Sequence, residues 1–208
     1  MSIKVAIIDD QDIIRLGVQQ SLGGVSDIAL LGEYADVDTF CQSTAAQRAD
    51  VVLLDDSLPD MSLLEALVSV QACCPTAAVL VLGSRLTQRD VHRAIEAGAS
   101  GVVCKQESLR DVLLIGIRHV HHGHVYLSPE PALLAGRIRT ELVLSPRLDQ
   151  VLHLVARGRH VQEMAHELGI STRAIYNART RLREILEVAS NEQIVAEAMR
   201  RGLLREED

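Results

Sequence analysis

The sequence predicts a doubly wound α/β domain built on a five-stranded parallel sheet, followed by an all-α helix-turn-helix domain. Three observations predict it. Five short apolar runs rich in Val, Ile and Leu alternate with amphipathic stretches over the first 124 residues, the pattern of buried parallel strands joined by crossover helices. Beyond them the strand-like runs stop, and helix start and stop signals at Ser, Pro and Gly take over. The charge also changes in kind: residues 1–136 carry 9 Lys and Arg against 17 Asp and Glu, whereas residues 137–208 carry 12 Arg against 11 acids. An α/β domain over 1–124, a linker over 125–143 and a helical domain over 144–208 follow, and 208 residues suffice for two cores.

The apolar runs lie at 5–8, 28–31, 51–54, 79–82 and 102–104, each too short for a helix. IIRLGVQQSL, SLLEALVSVQ, TQRDVHRAIEAG and SLRDVLLIGIRHV carry helical periodicity between and after them. In such folds ligands sit beyond the carboxyl ends of the strands, so the residues that follow each run matter. Asp9 and Asp10 follow the first, Asp55 and Asp56 the third, Gly83 and Ser84 the fourth, and Lys105 the fifth. Carboxylates gathered at one sheet edge call for a divalent cation, and an all-oxygen donor set favours Mg²⁺. A lysine beside that cation is placed to hold a phosphoryl oxygen as a point charge.

IIDD at 7–10, VVLLD at 51–55 with LP at 58–59, and AGASGVVCK ending at Lys105 resemble the receiver domain of two-component response regulators, a flavodoxin-like fold, over residues 1–124. The resemblance implies that Asp55 is the phosphoacceptor, taking a phosphoryl group from the histidine of a sensor kinase. It further implies that Asp10, Asp55 and the Ser57 carbonyl bind Mg²⁺, that Asp9 acts through a coordinated water, and that Lys105 holds the phosphoryl oxygen. Asp56 reads as a solvated neighbour of the acceptor. Two positions depart from the family pattern: Gly83 stands where Thr or Ser is usual, and Val102 where Tyr or Phe is usual. Both fall on the relay that carries phosphorylation to the rest of the molecule. Asp60 in place of a common Gly is a lesser change.

His119, His121, His122 and His124 crowd the end of the last α/β helix. No Cys or carboxylate stands among them at ligand spacing, so they read as a helix end and exit turn rather than a zinc site. Pro129 and Pro131 break regular structure, and ALLAGRIRTEL reads as a short connecting helix.

In LSPRLDQVLHLVARG, Ser145 is placed to cap a helix with Pro146 at its first position, apolar residues at 148, 151, 152, 154 and 155, and Gly158 as a stop. VQEMAHELGIS follows as a short helix ended by Gly169, and TRAIYNARTRLREIL as a longer one capped by Ser171. A short helix, a Gly-containing turn and an arginine-bearing helix make a helix-turn-helix signal. HELGI lacks the second histidine of the HExxH zinc motif. LSPRLDQVLHLVARG, EMAHELGIS and LEVASNEQIVAEA are similar to the DNA-binding domain of the NarL/LuxR class, which implies that the helix beginning at Thr172 enters the major groove. Its usual Lys and His are replaced by Tyr176 and Ala178, so base preference does not transfer. By position, Arg173, Tyr176, Asn177, Thr180 and Arg181 are candidates to face bases, and Ser171, Arg179 and Arg183 to contact phosphates. Ile175, Leu182, Ile185 and Leu186 should be core. Ile194, Val195 and Ala198 form a stripe that either covers the domain or serves a dimer.

With one Phe, three Tyr and no Trp, base stacking on an aromatic platform is not the expected binding mode. The four cysteines form no CxxC pair and lie in or beside apolar runs, where thiols serve as small hydrophobes, so a reducing cytoplasmic setting is expected. No stretch approaches the length of a membrane span. The expected function is that of a DNA-binding transcriptional response regulator, phosphorylated on Asp55 and binding double-stranded DNA as a homodimer. Two alternatives stay open. One is a phosphorylation-independent regulator controlled by ligand, partner or abundance; the other is an Mg²⁺-dependent phosphohydrolase, which would usually carry a second Asp where Ser57 stands.

Overall fold

The structure, a computed structural model, describes residues 2–135, 144 and 146–204. Two compact units divide the chain, Met1–Val143 and Leu144–Asp208. In the first, β1 (Ile3–Ile8), β2 (Ile28–Tyr34), β3 (Val51–Asp55), β4 (Ala78–Gly83), β5 (Gly101–Cys104) and β6 (Tyr126–Leu127) form one parallel sheet in the order β2-β1-β3-β4-β5-β6. The sheet has six strands, not five. The added strand is two residues long and half-buried, and it lies in the stretch expected to be linker. There the Tyr126 amide donates to the Ser100 carbonyl and the Ser128 amide to the Val102 carbonyl, which satisfies the outer edge of β5.

Helices α1 (Asp12–Leu22), α2 (Val37–Gln42), α3 (Leu63–Cys73), α4 (Gln88–Glu96) and α5 (Leu109–His121) follow the first five strands, and α6 (Pro129–Ala135) follows β6. Successive strand residues point to opposite faces, and both faces are covered. Ala6, Ile8, Val52, Leu54, Val79, Val81 and Val102 pack with Phe40, Leu67, Val70 and Val91 on one side. Val5, Ile7, Leu53, Leu80, Leu82 and Val103 pack with Val18, Leu113 and Ile117 on the other. Helix starts follow local chemistry: Ser62 with Glu65 and Thr87 with Asp90 form reciprocal caps, and Asp36 accepts from the Thr39 amide. The Ser145 cap and the part of the expected connecting helix beyond Ala135 lie outside the described residues.

Cys41, on α2, is disulfide-bonded to Cys73, the last residue of α3, with Cα atoms 5.5 Å apart. This corrects the expectation of four free thiols: only Cys74 and Cys104 are free, and both are buried. Partners 32 residues apart have no spacing motif to announce them.

The second unit packs α7 (Pro146–Ala156), α8 (Val161–Leu168), α9 (Thr172–Leu186) and α10 (Asn191–Arg200) around Leu148, Val151, Leu152, Met164, Ile175, Leu182, Ile185, Leu186 and Ile194. The residues expected to be core on α9 are buried. On α10, Ile194 and Ala198 are fully buried in the unit and Val195 partly so, which assigns the stripe mainly to covering the domain. Gly169 closes α8 with φ +65°, a left-handed conformation that a residue with a Cβ adopts only under strain.

Candidate functional site

The sheet order reverses between β1 and β3, where a crevice opens in doubly wound folds. Ile8 pairs with Leu54, so Asp9 and Asp55 leave the sheet side by side. Gly83 pairs with Cys104, which brings Lys105 to the same edge, where its amide donates to the Gly83 carbonyl at 2.8 Å. Asp9 and Asp55 have no exposed surface, and Lys105 Nζ sits 2.8 Å from Asp9 Oδ2 and 2.8 Å from Asp55 Oδ1. The Gln11 amide donates to Asp9 Oδ1 and the Ser57 amide to Asp55 Oδ1.

Two buried carboxylates and one ammonium leave an excess negative charge in a low-dielectric setting. Burial raises the Asp9 carboxyl above the usual carboxylate range, against the opposing hydrogen bond from Lys105. Burial alone would pull the Lys105 ammonium down, but its bonds to Asp55 and Asp9 hold it above the usual lysine value. Asp9, Asp10 and Asp55 each offer a carboxylate oxygen within 4.8 Å of the others, and Asp55 Oδ2 is buried with no hydrogen-bond partner. An all-oxygen set with an orphaned carboxylate oxygen fits a hard divalent cation of the Mg²⁺ type. Among the described residues this is the only such group of three, and the histidines of α5 and its exit turn do not form one.

Three features were not foreseen. Asp56 is half-buried rather than solvated, and its carboxyl is pushed up to about 6 by burial and then by the neighbouring Asp55 carboxylate. The Ser84 amide donates to it. Leu86 fills the space beside Gly83: a Cβ added there would lie 2.4 Å from Leu86 Cδ2. Val102 is fully buried between Val81 and Leu127 on the neighbouring strands.

On α9, Ser171 caps the helix by accepting from the Ala174 amide, and no acid occupies the first turn, so the positive end of the helix dipole is left for an external anion. Ser171, Arg173, Tyr176, Asn177 and Thr180 are exposed, with 173, 177 and 180 on one face. Arg179 and Arg183 are half-buried, and Arg183 donates to the Thr180 hydroxyl at 2.9 Å. Arg181 departs from the expectation that it faces bases: it is 4% exposed, beside the buried Ala178 and Leu182, and pairs with Glu184 at 3.4 Å. The arginine spacing alone did not reveal this, because position 181 lies on the shoulder between the exposed and the buried faces.

The family model for the response regulator receiver domain matches residues 5–115. The chain belongs to the response regulators. A second family model, bacterial regulatory proteins of the luxR family, matches residues 142–198, and the pairing makes this response regulator a DNA-binding transcription regulator and not an enzyme. The response regulator protein VraR of Staphylococcus aureus is 29% identical over 99% of this chain and 100% of its own. The RcsB response regulator of Salmonella typhimurium shares the fold with a TM-score of 0.60 at 21% identity, covering 95% of this chain and 98% of its own. A two-component response regulator of the LuxR family from Aurantimonas has a TM-score of 0.59 at 25% identity, covering 64% of this chain and 95% of its own.

Proposed function

We propose that this response regulator is phosphorylated on Asp55 by a sensor histidine kinase, with Mg²⁺ held by Asp10, Asp55 and the Ser57 carbonyl and, through water, by Asp9. The observation that carries the reading is Asp55 itself, fixed at the end of a buried strand with Oδ1 held by Lys105 and Oδ2 left without a partner. Its carboxylate attacks the phosphorus of a phosphohistidine, the imidazole leaves, and Lys105 transfers its ion pair to a phosphoryl oxygen. The cation supplies charge neutralisation between the carboxylates and the incoming phosphoryl group.

The output is binding of double-stranded DNA in the cytoplasm. Ser171, Arg179 and Arg183 contact phosphates, and Arg173, Tyr176, Asn177 and Thr180 face base edges. A single small helix-turn-helix has modest specificity, which favours a homodimer on a two-fold-related site; RcsB has been solved as two dimers bound to two parallel DNAs. No described helix is long and apolar enough to cross a membrane.

Intact mass after incubation with Mg²⁺ and a small-molecule phosphodonor, on the parent and on Asp55→Asn, tests the reading, with DNA binding followed in parallel. A phosphoryl adduct lost in the variant, with tighter DNA binding by the adduct, supports it. A specific observation favours a second reading, in which a ligand, protein partner or abundance controls the regulator without phosphorylation: Leu86 fills the space beside Gly83, and Val102 replaces the usual aromatic switch. No adduct with DNA binding intact selects that reading.

A further inference from the structure

Of the four cysteines, the two that are bonded are also the two with access to solvent: Cys41 and Cys73 are half-buried, whereas Cys74 and Cys104 are 2% and 1% exposed. We propose that Cys41 and Cys73 form a reversible thiol–disulfide site that exchanges with low-molecular-weight disulfides of the glutathione class, joining α2 to α3 in the oxidised receiver. The proposal stands apart from phosphorylation and rests on the placement of the four sulfurs.

The geometry suits both states. A Cα separation of 5.5 Å lies at the centre of the range for disulfides, so the bond forms without backbone movement. Cys73 ends α3 and Cys41 is next to last in α2. Each helix is anchored independently of the bond, α2 by Val37 and Phe40 and α3 by Leu67 and Val70, all fully buried in one core. Reduction therefore releases a link without removing the packing that holds either helix. The other thiols are withheld from exchange. Burial pushes the Cys74 thiol up to about 12, which denies it the thiolate form beside Cys73. The Cys104 thiol, itself buried, donates to Glu130 Oε2 at 3.0 Å.

The chemistry balances as two exchanges. The thiolate of one cysteine attacks the low-molecular-weight disulfide and releases one thiolate, leaving a mixed disulfide on the protein. The thiolate of the other cysteine then attacks the protein-bound sulfur and releases the second. The protein loses two protons and two electrons, and the small disulfide becomes two thiols. The ring closed by the bond contains Asp55, Ser57 and all of α3, so oxidation constrains the segment that carries Asp55.

The full-length protein is equilibrated in glutathione buffers running from fully reduced to fully oxidised, quenched with acid, alkylated after denaturation, and read by intact mass and peptide mapping. We expect two of the four cysteines to become protected together as the ratio rises, with a Cys41–Cys73 cross-linked peptide and a reversible midpoint within the series. Cys41→Ser should instead leave a glutathione adduct on Cys73, and Cys73→Ser one on Cys41, with circular dichroism unchanged. Hydrogen exchange of α2 and α3 should slow in the oxidised parent and in neither variant. Alkylation of both cysteines at every ratio, a glutathione adduct on the parent without the cross-link, or a cross-link that survives the most reducing buffer in folded protein would each overturn the proposal.

Discussion

Asp56 shows how one adjacent acid alters the chemistry of a strand end. Its carboxyl stands near 6 in the folded chain against an ordinary 3.8, chiefly because it is buried and then because it faces Asp55. A raised folded value means that the group's contribution to stability is complete below about pH 3.8 and is lost as the pH rises through 6. Asp56→Asn removes that loss. With allowance for its partial exposure, the variant should be more stable than the parent by about 1–2 kcal/mol at pH 8, and equal to it at about pH 3. Urea midpoints in chelator at the two pH values check this, and a gap independent of pH would count against the assigned environment. Gly83 yields a second expectation at this scale. Gly83→Ser alone forces its Cβ into Leu86 and should cost about 1–3 kcal/mol, while Gly83→Ser with Leu86→Ala should recover most of that, as thermal melts of the receiver unit would show. The strand-end acids and Lys105 were legible in the sequence because their positions follow from strand ends alone. Leu86 was not, because only the fold of the loop after β4 brings it over Gly83.

At the level of elements, legibility followed the strength of the local signal. The first five strands, four of them buried and β2 a half-buried edge, contain apolar runs, and their ends were found to within a few residues. β6 was missed because two half-buried residues between a histidine-rich turn and two prolines carry neither a run nor an alternation. The α2–α3 disulfide was missed for a related reason: its partners lie 32 residues apart, with β3 between them in the chain, and only the tertiary fold brings them together. By the loop-closure argument a bond across 32 residues restricts the unfolded chain by about 3–4 kcal/mol. The parent should therefore unfold at higher urea without reductant than with it, and Cys41→Ser should show no difference between the two conditions. The cap of α9 was read correctly from Ser171. Ser171→Ala should cost about 1 kcal/mol of stability in the C-terminal unit, since it removes the acceptor for the Ala174 amide.

For the whole molecule, the two units divide the labour by charge as well as by fold. The first carries the excess of acid that concentrates at the sheet edge, and the second carries arginines on one helix with no acid in its first turn. The order of the two domains was legible because each half supplied its own pattern. The distribution of roles along α9 was not, because burial at Arg181 depends on how the neighbouring helices pack against α9. The proposed roles separate in the salt dependence of DNA binding, which reports the number of phosphates neutralised at about 0.9 per contact in log Kd against log salt. Arg179→Ala should weaken binding to all sequences alike and lower that slope by about 1 per protomer, or about 2 for a dimer on its site. Asn177→Ala should leave the slope unchanged and cost about 1–3 kcal/mol on the preferred site alone. Arg181→Met should lower the melting temperature of the C-terminal unit, by stripping a buried cation from Glu184, and leave the slope as it was. Fluorescence anisotropy over a series of salt concentrations, on the preferred and a scrambled duplex, measures all three. A reduced slope for Arg181→Met with an unchanged melting temperature would put that arginine back on the phosphate backbone and require α9 to turn its buried shoulder outward when it binds.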